Sequence, residues 1–287
     1  MKFTQKFWED ISRVKEAILS ADAVIVGAGS GLSTAAGYVY SGKRFNDNFA
    51  DFVEKYGFRD MYSGGFGPFE CAEEMWCYWA RYIYINRYVA PPKPVYEKLL
   101  DIVKGSNYFV ITTNVDHCFQ RAGFDKNRLF YTQGDFGLFQ CSVHCHDKTY
   151  DNEGVIRKMY QSQSDMKVAK QLFPRCPVCG KPMTFNLRSD DKFVEDDGWR
   201  AACERYEKFI NENKDKKVVY LELGVGGNTP VIIKYPFIRA TYANKNATYV
   251  CINMGEAFCP QEIADRSIII NDDIAAVIDA IDSKTDE

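Results

Sequence analysis

The chain has 287 residues, 46% of them hydrophobic and 15% aromatic, enough apolar mass for one large domain or a large domain with a smaller one. A formal charge of -3 and a pI near 5.8, with Lys and Arg dispersed, leave no basic stripe and argue against nucleic acid as a partner. No apolar run approaches the roughly 20 residues a bilayer requires, and ten cysteines without a secretory leader point to thiols or metal, so a cytoplasmic protein with no membrane partner is expected.

In chain order, Phe7, Ile11, Val14 and Ile18 recur at three- and four-residue spacing and predict an amphipathic helix. Residues 23–26 read as a buried strand, followed by a turn from Gly27 to Gly37 rich in glycine and small residues. Glycines there let a backbone approach a pyrophosphate, whose charge suits exposed N–H groups at a helix start, although many Gly-rich turns bind no dinucleotide. Residues 44–92 break the pattern with a crowd of aromatics, Phe45, Phe49, Phe52, Trp76, Tyr78 and Trp79 among them, and read as a helical insertion packed on its own rings.

Residues 94–104 have helical periodicity and residues 108–112 read as a second strand. At its end stand Thr113, Asn114, Val115, Asp116 and His117, where a doubly wound sheet presents ligand-binding groups. Amide and carboxylate side chains there suit an amide and a ribose; capping of the next helix is the alternative. Residues 136–193 carry clustered cysteines and few apolar runs, so this segment needs a staple. Cys141-x3-Cys145 and Cys176-x2-Cys179, thirty residues apart, supply two knuckles suited to one tetrahedral structural zinc, with His144 and His146 as alternative ligands beside Cys145.

Residues 199–213 predict another helix, and residues 218–223, 248–253 and 267–270 three more buried strands. The third strand runs into Gly224, Val225, Gly226, Gly227, Asn228, Thr229 and Pro230, and the fourth ends at Asn253, again turns where backbone can meet a ligand. Near-continuous apolar strands alternating with helices predict an α/β fold, a Rossmann-type doubly wound parallel sheet. The expected division is a nucleotide-binding domain over 1–43, 93–135 and 194–287, a helical module over 44–92 and a zinc-binding module over 136–193.

The order of these motifs resembles the sirtuin family over most of the chain, from about Ala21 to Ile281. The stretch from Gly29 to Gly37 looks like the family's GAGxS element, Thr112 to Asp116 like its TQNID, and the four cysteines like its zinc knuckles. Two departures stand out. Where the family's HGxF histidine belongs, eight residues before the first zinc cysteine, Gln133 heads Gln133-Gly134-Asp135-Phe136. The PDFR segment is replaced by Val39-Tyr40-Ser41-Gly42, flanked by Tyr38 and Arg44.

An imidazole can take a proton from a ribose hydroxyl near neutral pH; a carboxamide cannot. Cleavage of the nicotinamide glycosidic bond passes through an oxocarbenium-like state that needs orientation and charge stabilisation, and an anionic acceptor can attack without a strong base. ADP-ribosylation is therefore expected to survive the substitution, and lysine deacylation not.

This pattern is similar to the class M sirtuins, the macrodomain-linked branch. The resemblance implies NAD-dependent mono-ADP-ribosylation of a lipoylated carrier protein like glycine cleavage system H protein, reversed by a partner macrodomain hydrolase and tied to oxidative stress. It implies Asn114 and Gln133 as catalytic residues, with Arg188 assisting unless it makes only a surface salt bridge. NAD would lie against Ala28, Gly29, Gly31, Ser33, Gly37, Tyr38 and Arg44 in the first part of the chain, and against Thr113, Asn114, Asp116 and Gln133 in the middle. Gly224, Val225, Gly226, Asn253, Asp273 and Ile274 would complete the contacts, Asp116 holding the carboxamide. An NAD glycohydrolase, a residual deacylase and an inactive NAD-binding scaffold are the alternative functions.

Overall fold

A computed structural model describes residues 3–227 and 230–283 of the chain, so Asn228 and Thr229 of the third strand's exit turn lie outside the described residues. The chain begins with α1 (Gln5–Leu19), whose buried stripe is Phe7, Ile11, Val14 and Ile18 together with Asp10, as the periodicity predicts. Then come β1 (Ala23–Ala28) and α2 (Ser30–Ala35). A helical stretch of α3 (Gly42–Tyr56), α4 (Met61–Gly65) and α5 (Ala72–Ile83) closes in a π-helical turn, Tyr84–Tyr88. α6 (Val95–Val103), β2 (Tyr108–Thr112), α7 (Cys118–Arg121), β3 (Leu129–Tyr131) and β4 (Gly134–Cys141) follow. Next are β5 (Tyr150–Asp151), α8 (Glu153–Ser162), β6 (Met183–Leu187), α9 (Asp197–Asn213) and β7 (Val218–Leu223). The last elements are α10 (Lys234–Ala243), β8 (Thr248–Ile252), β9 (Ser267–Ile270) and α11 (Ile274–Asp282).

Six strands form one parallel sheet in the order β3-β2-β1-β7-β8-β9. Alternate residues feed opposite faces: Val24 and Val26 meet α1, α6 and α11 side chains such as Val14, Leu99 and Val277, while Ala23 and Ile25 meet Ala202 of α9 and Phe237 of α10. Burial on both faces explains why the strands read as unbroken apolar runs. From β1 the chain first builds towards β2 and β3, then returns to β7 on the other side, so the order reverses between β1 and β7. In open α/β sheets, ligands bind outside the carboxyl ends of the strands at such a reversal.

The remaining strands form a small antiparallel sheet, β5-β4-β6. The helical insertion and the cysteine-bearing insertion pack on each other around one core. Trp76 of α5 sets its ring 5.8 Å from Phe139 of β4 and 5.1 Å from Phe185 of β6, both edge-on. Trp79 lies 4.7 Å from Phe185. Phe45, Phe49, Phe52, Tyr78 and Tyr82 are buried in the same cluster.

Candidate functional site

The glycine turn after β1 sits at the reversal. A Cβ on Gly31 would stand 2.7 Å from the Gly224 Cα, and one on Gly29 would stand 2.6 Å from the Gly224 carbonyl oxygen. Gly224 itself has a φ of +62°, which suits glycine. These residues are glycines because the start of α2 and the exit of β7 cross backbone to backbone. The Gly29 and Gly31 N–H groups donate to the carbonyls of Leu223 and Gly224, both at 3.0 Å. The turn therefore does not offer these two amides to an anion, contrary to the expectation of exposed N–H groups; they lock β1 to β7 instead.

Beneath the turn lies a buried polar network. The Ser33 hydroxyl is 2.5 Å from Asp116 Oδ2 and 2.9 Å from the Tyr96 hydroxyl, and the Cys118 N–H donates to Asp116 Oδ1. Asn114 Nδ2 donates to the Gly29 carbonyl at 2.9 Å and reaches the Tyr96 hydroxyl at 3.3 Å. Among the described residues its Oδ1 has no hydrogen-bond partner, so the amide is anchored by one end and offers an acceptor at the other. Burial holds the Asp116 carboxyl above its ordinary range, against the opposing pull of Ser33. Asp116 Oδ1, in taking the Cys118 N–H, also satisfies the first amide of α7, while the Asn114 side chain makes no bond to that helix, whose N-cap position is His117. The Thr113 N–H donates to the Ala28 carbonyl, stitching this stretch to β1.

Gln133 is drawn to the same place. The Thr132 N–H donates to the Thr112 carbonyl at 2.9 Å and the Phe136 N–H to the Val115 carbonyl at 2.8 Å, so Gln133 lies alongside Thr113 and Asn114. It is half-buried, and its carboxamide has no hydrogen bond to any described residue. The Arg188 N–H donates to the Gln133 carbonyl, which places Arg188 beside it. Two residues on, Asp135 is buried between Arg87 and His117, at 2.7 and 2.5 Å. Burial alone would raise its carboxyl, but the His117 and Arg87 contacts hold it below the usual carboxylate range.

The other expected contacts lie on several elements, some at the reversal and some, such as Arg44, against the helical insertion. Val225 is buried, its carbonyl accepting from Asn253 Nδ2 at 3.1 Å, and the adjoining Gly226 packs beside Glu256. Asp273 caps α11 by accepting from the Ala276 N–H, and Ile274 is buried in the core beneath. Gly37 has a φ of +105° and abuts Pro92. Tyr38 is buried, its hydroxyl donating to the Val89 carbonyl. Arg44 stacks over the Tyr38 ring and donates to Asn86 Oδ1 and the Ile85 carbonyl, both at 2.9 Å. Gly37, Val39, Ser41, Lys43 and Arg44 line an open cleft of about 390 Å³. Tyr96, which joins Ser33 to Asn114, and Asp135 escaped sequence reading: one is an ordinary residue of an amphipathic helix, the other a position noted only for its register.

The four cysteines converge. Cys141 and Cys179 sulfurs are 3.6 Å apart, as are those of Cys145 and Cys176, and all four lie within 4.8 Å of one another. Tetrahedral zinc with bonds of about 2.3 Å sets its sulfurs about 3.8 Å apart, so the set fits zinc with no open position. His146 is outside it, its Nδ1 3.0 Å from the Cys145 sulfur and its Nε2 2.8 Å from the Tyr150 hydroxyl. His144 pairs instead with Asp147.

No family model matches the chain. A protein of Staphylococcus aureus strain Mu50 named "Protein ADP-ribosyltransferase" is 40% identical over 266 residues, which is 92% of this chain and 84% of that one. A Fusarium oxysporum f. sp. cubense protein named "Probable bifunctional ADP-ribose hydrolase/ADP-ribosyltransferase" is 29% identical over 275 residues; they are 90% of this chain and 45% of that protein, so the chain matches less than half of it. Among solved structures, Sir2Tm bound to a propionylated peptide aligns with a TM-score of 0.59 at 18% identity, over 94% of this chain and 96% of that one. A Sir2 complex with a p53 peptide and NAD+ aligns over the same shares with a TM-score of 0.57 at 18% identity. These structures share the fold, while the 40% identity extends over most of both sequences. The chain belongs to the sirtuin-type protein ADP-ribosyltransferases.

Proposed function

We propose that this enzyme transfers ADP-ribose from NAD to a lipoylated carrier protein of the glycine-cleavage H type, releasing nicotinamide, and that a macrodomain hydrolase removes the modification in a response to oxidative stress. NAD-dependent ADP-ribosyl transfer is the activity of the family; the acceptor and the reversing partner are the reading's finer part. The observation that carries it is Gln133, bonded through its carboxamide to no described residue, on a segment whose backbone runs alongside Thr113 and Asn114, where an imidazole would be needed to finish a deacylation. The name of the Fusarium relative joins a hydrolase to a transferase in one protein, which supports the pairing with a macrodomain.

In this reading Asn114 Oδ1 accepts from a ribose hydroxyl while Nδ2 stays fixed to Gly29, so the sugar is oriented by an amide that is itself held. Asp116 keeps lone pairs beyond those used by Ser33 and Cys118 and accepts from the nicotinamide carboxamide. Gln133 presents a dipole to the sugar without moving a proton, and Arg188 supplies positive charge beside it. An acceptor carboxylate then attacks the anomeric carbon as the glycosidic electron pair leaves with nicotinamide.

The test is incubation with labelled NAD and the carrier, with and without lipoate. Label on the lipoylated carrier alone is the expected result. Equal nicotinamide release with no carrier present would select a glycohydrolase, and turnover of an acyl-lysine peptide a deacylase.

A further inference from the structure

Arg188 opens a strap that runs from the end of β6 to the start of α9 and is clamped from below. Gln140 Oε1 accepts from the Val194 N–H at 2.9 Å, Gln140 Nε2 donates to the Lys192 carbonyl at 2.8 Å, and Asn186 Nδ2 donates to the Val194 carbonyl at 3.1 Å. This fixes Phe193, buried, and Glu195 relative to β4 and β6, whose ends adjoin Gln133 and Arg188. The Arg188 guanidinium lies 4.2 Å from the Phe193 ring centre and 5.3 Å from that of Trp199, whose indole N–H donates to the carbonyl of Thr132 at 3.2 Å. One terminal nitrogen pairs with Glu195 Oε1 at 2.5 Å. Among the described residues, Nε and the other terminal nitrogen have no hydrogen-bond partner.

We infer that Glu195 and Phe193 are positioning residues for the transfer reaction, holding Arg188 beside Gln133 with part of its donor fork open to a substrate oxyanion. The inference rests on the reading of Arg188 as an assisting residue. A free arginine side chain must lose rotamer freedom when it grips an anion; a guanidinium already stacked on a ring and tethered by one nitrogen loses less. The oxyanion is either the NAD diphosphate or the carboxylate of the acceptor.

The experiment combines Glu195→Gln and Phe193→Leu with Arg188→Ala, each alone and paired with it. Transfer should fall roughly five-fold for Glu195→Gln when Arg188 is present and less than about two-fold when it is not, as expected of coupled side chains. Glu195→Asp, which keeps the charge, should recover part of the rate. A rise in KM for NAD at constant kcat assigns the oxyanion to the diphosphate; a fall in kcat alone assigns it to the acceptor. A second readout needs no activity: in substrate-free protein, the nitrogen-15 Nε–H signal absent from Arg188→Ala should be displaced by the Phe193 ring current and return towards free arginine in Phe193→Leu and Glu195→Gln. Equal losses in both backgrounds, or an Arg188 signal already at the free position, would overturn the inference. Full activity in Arg188→Ala would instead sink the assisting role of Arg188 and the inference with it.

Discussion

Asn114 and Gln133 stand side by side yet differ in what they do for the fold, and this separates chemistry from stability. Asn114 Nδ2 ties Gly29 to Tyr96, so Asn114→Ala removes buried hydrogen bonds and should cost about 1–2 kcal/mol as well as activity. Gln133 bonds to no described residue through its side chain, so Gln133→Ala should leave stability within about 0.5 kcal/mol while abolishing transfer. Urea melts alongside nicotinamide release would check the pair; a stable, active Gln133→Ala would remove it from the catalytic set. Asp135 carries a sharper stability signature. Its carboxyl is held below the ordinary range by His117 and Arg87, so it contributes stability above the unfolded value of about 3.9 and loses it as pH falls through the lower folded value. Asp135→Asn strands the mostly buried Arg87 and should cost about 3–5 kcal/mol near neutrality. Melts across pH 3 to 7 should show the gap between the two proteins closing below about pH 4; a constant gap would mean that Asp135 is not charged in the fold.

At the scale of elements, legibility followed how local the determining interactions are. The buried parallel strands were readable because burial on both faces writes an unbroken apolar run, and the bounds of β2, β7 and β9 coincide with the runs. β3, of only three residues, was missed: Leu129–Tyr131 is too short to show a period, and its strand character comes from pairing with β2. The zinc ligands were legible because spacing encodes them. Tyr96 and Glu195 were not, because each acquires its partner from a segment distant in the chain or across a loop. The small sheet offers a test of the metal's share. Cys141 ends β4 and Cys176 precedes β6, so the metal fastens the sheet's open end. One zinc per chain is expected, and its removal should cost at least about 3 kcal/mol, a melting shift of roughly 6–12 °C for a chain of this size. Metal analysis and chelator titration would read both; a chelated protein melting unchanged would deny the sulfurs a structural role.

For the whole molecule, two insertions separate in sequence have become one body set against the parallel sheet. The sheet carries Asn114 and Asp116 just past the end of β2, while Gln133 and Arg188 stand at the junctions where the chain enters and leaves the small sheet, so the candidate site lies at the seam between the two bodies. The seam's geometry then depends on the shared aromatic core, and the zinc and helical insertions should not unfold separately. Trp76 joins them through Phe139, Phe173 and Phe185. Trp76→Ala should cost about 3–5 kcal/mol, and because both insertions lean on that ring, hydrogen exchange should accelerate together in α5, β4 and β6 while the β1–β7 pairing stays protected. Acceleration confined to α5 would show that the small sheet holds its shape alone and that the helical insertion does not position Gln133.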